Sequence, residues 1–260
     1  MIDWLYGLPE IMIVALAAAI LPAVIVWLPR LTGRIPGLAH ADVNTEFVIR
    51  MQAPLFTMTA LVLTFTLVEA ERNFRQVDSD LTAEASQLNQ LDRLLTRYDT
   101  PAATTLRPLV RAYAQSIVKE EWPRMLDGKP SQPTGLAYAQ LSRAIMAMDP
   151  APGRQSVIFA ELLKSLDAAA ESREKRLANV RVRLPGIYWV VILFGTLMLL
   201  FVSSTITPTR LRTTVLATQL AVLGAFIGFT FIMDAPFVGE TAVKPVALAR
   251  AIQSMEAREK

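Results

Sequence analysis

The chain has no cysteine and a single histidine, His40, among its 260 residues. Disulfides, thiolate nucleophiles and zinc–thiolate sites are excluded together, and one histidine cannot build a multi-histidine metal centre. No charged side chain falls within residues 11–28, 51–68, 184–206 or 213–233, where proton-coupled carriers and voltage sensors carry theirs. There is no phosphate-cradling glycine loop, no nucleophile elbow, and no histidine beside a Ser or Asp that would complete a triad. Glu120 and Glu121 are adjacent, so on a helix they point apart and cannot share a substrate as an acid/base pair. Glu69, Glu71, Asp78, Asp80 and Glu84 lack the ligand spacing of a calcium loop. No catalytic residue, metal or cofactor is expected. The net charge of +3 and pI near 9.3 do not point to nucleic acid, because the excess mostly flanks apolar segments, where lipid headgroups are the nearer partner.

What the chain does have is four long apolar runs, the residues just listed, around a polar middle of about 115 residues. Each run reaches the ~18 residues that separate a membrane span from a buried core helix. The composition, 53% hydrophobic and 19% charged with the charges crowded into one block, fits this division. In hydrocarbon the backbone must satisfy its own hydrogen bonds, and the runs lack in/out alternation, so the spans are expected to be helices. The fold expected is all-α: residues 1–68 hold spans one and two, 69–183 an extramembrane helical stalk, 184–233 spans three and four, and 234–260 a tail. The first run has no Lys or Arg before it and ends at Arg30, which reads as a retained span rather than a signal peptide. Four spans put both termini and the 69–183 block on one side. By count, the basic residues near the spans favour a cytoplasmic block; Arg30, Arg34, Arg210 and Arg212, close to their spans, favour the reverse.

From Glu69 to Tyr98 there is no Pro or Gly, and Val77, Leu81, Leu88, Leu91, Leu95 and Tyr98 form one helical stripe, so the second span should continue as a rod. Thr100-Pro101 should cap and open a second helix ending near Trp122. Asp127 to Pro133 reads as a loop, 136–148 as a helix, and a last helix should descend to the third span through a kink at Leu184-Pro185-Gly186. The first and last of these helices should pair antiparallel.

Gln52, Phe56, Thr59, Leu63 and Thr66 return to one face of the second span at steps of three and four. In an oligomer this face would line a pore, with Phe56 or Leu63 as an apolar constriction; alternatively each Thr bonds back to its own helix and the stripe packs on a neighbour. Hydroxyl and amide donors can face an anion, but Thr oxygens serve cations as well, so selectivity does not follow. Ala217, Ala221, Gly224 and Gly228 form a small-residue ridge on the fourth span, expected to admit another helix closely. Pro22 marks a kink in the first span. Arg173, Lys175, Arg176, Arg181 and Arg183 should meet headgroups or pair with Glu171 and Glu174.

Three stretches carry a resemblance: residues 84–93, containing Glu84 and Arg93; Tyr113 with Glu121-Trp122-Pro123; and Asp234-Ala235-Pro236-Phe237-Val238-Gly239. In this order they resemble the bestrophin-like domain family of bacterial four-span membrane proteins. The resemblance implies a homo-oligomer in the bacterial inner membrane, with termini and stalk cytoplasmic, and a chloride-like anion pathway lined by the second span. Its implied partners are the lipid bilayer, further copies of the chain and inorganic anions. The acidic calcium clasp of animal bestrophins has no counterpart in Asp234 to Gly239, and no calcium gating is implied. A structural account is adequate for the shared residues: Trp122 anchors a helix end, Glu121 pairs with an Arg of the rods, and Pro236 and Phe237 end the fourth span. The rival reading is a non-conducting scaffold or sensor whose stalk binds a partner.

Overall fold

The computed structural model describes residues 8–32, 42–125, 129–180 and 182–259. His40, Arg34, Asp127, Gly128 and Arg181 lie outside them, as does the side chain of Arg30. The described elements are α1 (Glu10–Thr32), α2 (Asp42–Tyr98), α3 (Pro101–Ser116), a π-helical turn (Ile117–Glu121), α4 (Trp122–Met125), α5 (Gln132–Met146), α6 (Arg154–Asn179), α7 (Gly186–Ser204), α8 (Arg210–Met233) and α9 (Val246–Ala257). No strand occurs among the described residues. Four helices are long and apolar enough to cross a bilayer: the 10–28 part of α1, α2, α7 and α8. The chain is an all-helical, multi-pass membrane protein. At 1.5 Å per residue the 57 residues of α2 extend about 85 Å, nearly three times a ~30 Å hydrocarbon core.

Contacts divide the chain into two units, residues 1–74 with 183–242 and residues 75–182 with 243–260. Residues of the 234–260 stretch fall in both units. Residues 234–242 stay with the spans, where Glu10 accepts from the Thr241 amide (2.7 Å) and hydroxyl (2.9 Å). Helix α9 joins the second unit by burying Leu248, Ala251 and Met255.

In the first unit, Ile25, Leu63, Ile192, Leu199, Leu200, Leu220 and Leu223 form the core. Helices α1 and α8 touch at backbone distance. A Cβ on Gly224 would stand 2.2 Å from the Ala17 carbonyl oxygen, and one on Gly228 would stand 3.0 Å from Ala17 Cβ and 3.1 Å from Val14 Cα. The small-residue ridge thus serves packing inside one chain, with the half-buried Ala217 and Ala221 on the preceding turns. Helix α1 runs unbroken through Pro22.

In the second unit, the stripe Val77, Leu81, Leu88, Leu91, Leu95 and Tyr98 is buried throughout. Asp99, at φ 55, ends α2; the Thr100 hydroxyl then accepts from the Ala103 amide (3.2 Å), and Pro101 opens α3. Gln90 bonds Glu161, Glu84 bonds Arg176 and Asp80 bonds Asn179, so partner numbers rise as α2 numbers fall and α6 runs antiparallel to α2. Two elements differ from expectation. Helix α5 starts four residues earlier, at Gln132 rather than 136, because Ser131 caps it through the Thr134 amide (3.4 Å) with Pro133 in its first turn. Instead of a kink at Leu184-Pro185-Gly186 there is a break: α6 stops at Asn179 and residues 182–185 are not helical. Pro185 disfavours helix at Leu184, whose amide instead donates to Asp234 Oδ1 at 2.5 Å.

Candidate functional site

The polar face of the second span is turned into its own chain. Gln52, Thr59, Leu63 and Thr66 are all buried, and Phe56 packs half-buried against the core. Gln52 Nε2 donates to Ser203 Oγ (3.4 Å) on α7 and to Gln219 Oε1 (3.3 Å) on α8. Thr59 abuts Gly195, whose absent Cβ would stand 3.0 Å from the threonine Oγ1. Of the five residues expected to line a pore, Gln52, Thr59, Leu63 and Thr66 are thus covered by helices of their own chain, and Phe56 is half-covered. The reason is chemical: a primary amide in hydrocarbon needs partners, and neighbouring helices supply them where lipid cannot.

Each threonine of the span donates its hydroxyl to the carbonyl four residues back. Thr57 bonds Ala53 (3.0 Å), Thr59 bonds Leu55 (2.9 Å), Thr64 bonds Ala60 (2.8 Å) and Thr66 bonds Val62 (2.9 Å). The hydroxyl protons are therefore used within α2.

Opposite the core face, intramolecular packing leaves a second stripe uncovered: Pro54, Thr57, Leu61, Thr64, Val68 and Arg72, flanked by Met58 and Phe65. Its steps of three and four hold it to one side of the helix. It differs from the outward faces of α1 and α7. Those expose Ile11, Leu16, Ile20, Val24 and Trp27, and Ile187, Val190, Leu193, Phe194, Leu197 and Phe201, the purely apolar dress of a lipid face.

In the second unit, two of the motif residues, Glu84 and Glu121, converge on two arginines. The π-helical turn after α3 swings Glu121 inward while Glu120 stays exposed, in keeping with the positioning use of such bulges. Arg176 donates to Glu84 Oε2 (2.6 Å) and Oε1 (3.2 Å), to Glu121 Oε2 (2.7 Å) and to Met125 Sδ (2.8 Å). Arg173 donates to Glu121 Oε1 (2.5 Å) and Oε2 (3.3 Å). Tyr113, wholly buried and stacked at a tilt on Tyr138 (5.4 Å), leaves its hydroxyl without a partner among the described residues. Burial pushes the Glu84 carboxyl up despite the Arg176 charge. At Glu121 burial acts the same way, but the hydrogen bonds from Arg173 and the charge of Arg176 outweigh it and hold the carboxyl below the usual range. Two carboxylates and two guanidiniums make the cluster neutral, and it joins α2, the π turn and α6. Its chemistry is that of a fixed register, with no group placed to transfer a proton. Arg173 and Arg176 are thus partners of buried carboxylates and not a headgroup patch; Lys175 keeps the expected pairing with Glu171 (2.7 Å).

The remaining motif residues separate. Arg93 is exposed and joins no other motif residue among those described, and Trp122 is half-buried. Asp234, Pro236 and Phe237 are buried at the end of α8, where Asp234 also accepts from Trp189 Nε1 (3.3 Å). Gly239, at φ 103, has Glu10 Oε1 where a Cβ would stand, 2.6 Å away. One site went unread in the sequence: Asp92 accepts from Arg107 (2.9 Å) and Arg258 (2.8 Å), and Arg258 also bonds Asn89. The only signal for it was an acid inside an otherwise apolar stripe.

No curated protein and no solved structure matches the chain. The Bestrophin-like domain family matches residues 16–248, from within the first span to the start of α9. With that match over most of its length, and with Glu84, Tyr113 and Glu121 gathered at one buried centre, this chain belongs to the bestrophin-like domain family.

Proposed function

We propose that the protein is a homo-oligomeric ion channel of the bacterial inner membrane, conducting small chloride-like anions along an axis lined by the uncovered stripe of α2. The observation that carries this reading is the stripe itself: Pro54, Thr57, Leu61, Thr64 and Val68 alternate hydroxyl and apolar groups on a face left exposed by the described residues of the chain. Leu61 and Val68 are the apolar constrictions, positions where a narrow pore dewets. We place the termini and the second unit in the cytoplasm, a reading that the resemblance and the count of basic residues near the spans support. The channel catalyses no reaction. A non-conducting scaffold or sensor is the second reading, favoured by the use of the most polar face of α2 for internal packing.

The absence of cysteine makes the test clean. Single cysteines at Thr57, Leu61 and Thr64, and as controls at Thr59 and Leu63, are reconstituted in liposomes and treated with a charged thiol reagent. Chloride efflux above that of empty vesicles, blocked at the first three positions and not at the controls, is the expected result. Efflux equal to empty vesicles would leave the scaffold reading, and block confined to the controls would return the axis to the buried face. A reporter fused after Lys260 decides the orientation.

A further inference from the structure

Resting on the α2-lined axis proposed above, we infer that Arg72 sets the charge selectivity of the pathway and that the threonines of the span do not. A hydroxyl stabilises an anion by donating its proton to it. Those of Thr57 and Thr64 already donate to Ala53 and Ala60, so what faces outward is oxygen lone pair, which repels an anion and suits a cation. The membrane part of the stripe therefore offers anions nothing, and a preference for them must come from elsewhere on it.

Arg72 is the place. It lies one helical turn beyond Val68, at the edge of the apolar run, on the same stripe as Leu61 and Val68, and it is exposed. No ion pair to it exists among the described residues. Glu69, three residues before it, shares its side of the helix without an ion pair to it among the described residues, and Glu71 stands about 100° round. The arginine at the other end of the span differs: Arg50 is neutralised by Glu46 at 2.7 Å, one turn earlier on the same helix. Repeated by symmetry, the stripe has a compensated arginine at one mouth and an uncompensated one at the other. A ring of like charge at a narrow mouth walled by low-dielectric material raises the local concentration of counter-ions. Arg72 acts there on mobile ions without binding any one of them tightly.

The test is the reversal potential of the full-length protein in planar bilayers under a KCl gradient. Wild type is expected to favour chloride, Arg72→Lys to keep that ratio, and Arg72→Glu to shift the chloride-to-potassium permeability ratio by about tenfold or more toward potassium, the lower end of such field effects. The double variant Thr57→Val, Thr64→Val should keep the wild-type ratio. A conducting Arg72→Glu with an unchanged reversal potential overturns the role of Arg72 while the α2 axis stands. A silent wild type overturns the axis and this role with it. Should Arg72→Glu fail to assemble, Arg72→Gln carries the test: its ratio must fall and lose its dependence on ionic strength, and an unchanged ratio refutes the proposal.

Discussion

The two units of this chain satisfy their polar groups in opposite ways. Among the spans the hydroxyls are satisfied locally: Thr57, Thr59, Thr64, Thr66, Thr214, Thr218 and Thr230 each bond the carbonyl four residues back, helices meet through glycine, and distant polar contacts such as Gln52 to Ser203 and Gln219 join uncharged side chains. In the second unit charged groups pair at a distance: Glu84 and Arg176 lie 92 residues apart, Glu121 and Arg173 52, Asp92 and Arg258 166. The difference follows from the solvent. A lone charge in hydrocarbon is too costly to tolerate as a helix emerges and finds its neighbours, whereas a hydroxyl can be satisfied before any neighbour arrives. Helices that assemble in water can use buried ion pairs to specify which partner and which register, since a mismatched charge is left unpaired.

The comparison breaks most sharply at Arg176. Arg176→Ala leaves Glu84 with no partner among the described residues and Glu121 with Arg173 and the Ser131 amide, and should lower the stability of the second unit by about 3–5 kcal/mol. Adding Glu84→Gln should recover part of that loss. Thermal unfolding in detergent, followed by circular dichroism and by proteolysis within residues 75–182, measures both, and a loss under about 1 kcal/mol would mean that the cluster is not a register device. Packing among the spans comes next. Gly224→Leu drives a side chain into the Ala17 carbonyl and should cost about 3 kcal/mol, the upper end for overpacking; Val222→Leu, exposed on the same helix, should cost almost nothing. Equal Tm values for these two variants would refute the close α1–α8 contact. Polar contact among the spans should matter least: Gln52→Leu removes two long hydrogen bonds at about 0.6 kcal/mol, the average for such bonds between membrane helices. A loss as large as that at Arg176 would erase the contrast between the units.

Much of this was legible in the chain. Hydropathy identified all four spans because burial in lipid leaves few alternatives for a long uncharged run. The rod of α2 was legible from the stripe Val77 to Tyr98, and the α3 start from Thr100-Pro101, because helical period and capping are local properties. The boundary errors had local causes too: Ser131-Gln132-Pro133 reads equally as loop or as helix cap, and only the Thr134 amide shows which.

The pairing of faces was not legible. Periodicity says that Gln52, Thr59 and Thr66 share a side of α2, but a helix has no sequence mark that distinguishes a neighbour in its own chain from a neighbour in another. Likewise Glu84 and Glu121 stood out one by one, while their common partner Arg176 read as part of a basic surface group.

By itself, then, the sequence determined what repeats along a helix and what lipid permits: the number of spans, their helical state, the continuity of α2, and the absence of charge from the apolar runs. Tertiary structure alone decided which side of α2 is covered and which carboxylates meet which arginines. Helical period and transfer into lipid depend on residues within a few turns of one another. Pairing depends on groups 50 to 170 positions apart, whose meeting is a property of the packed chain.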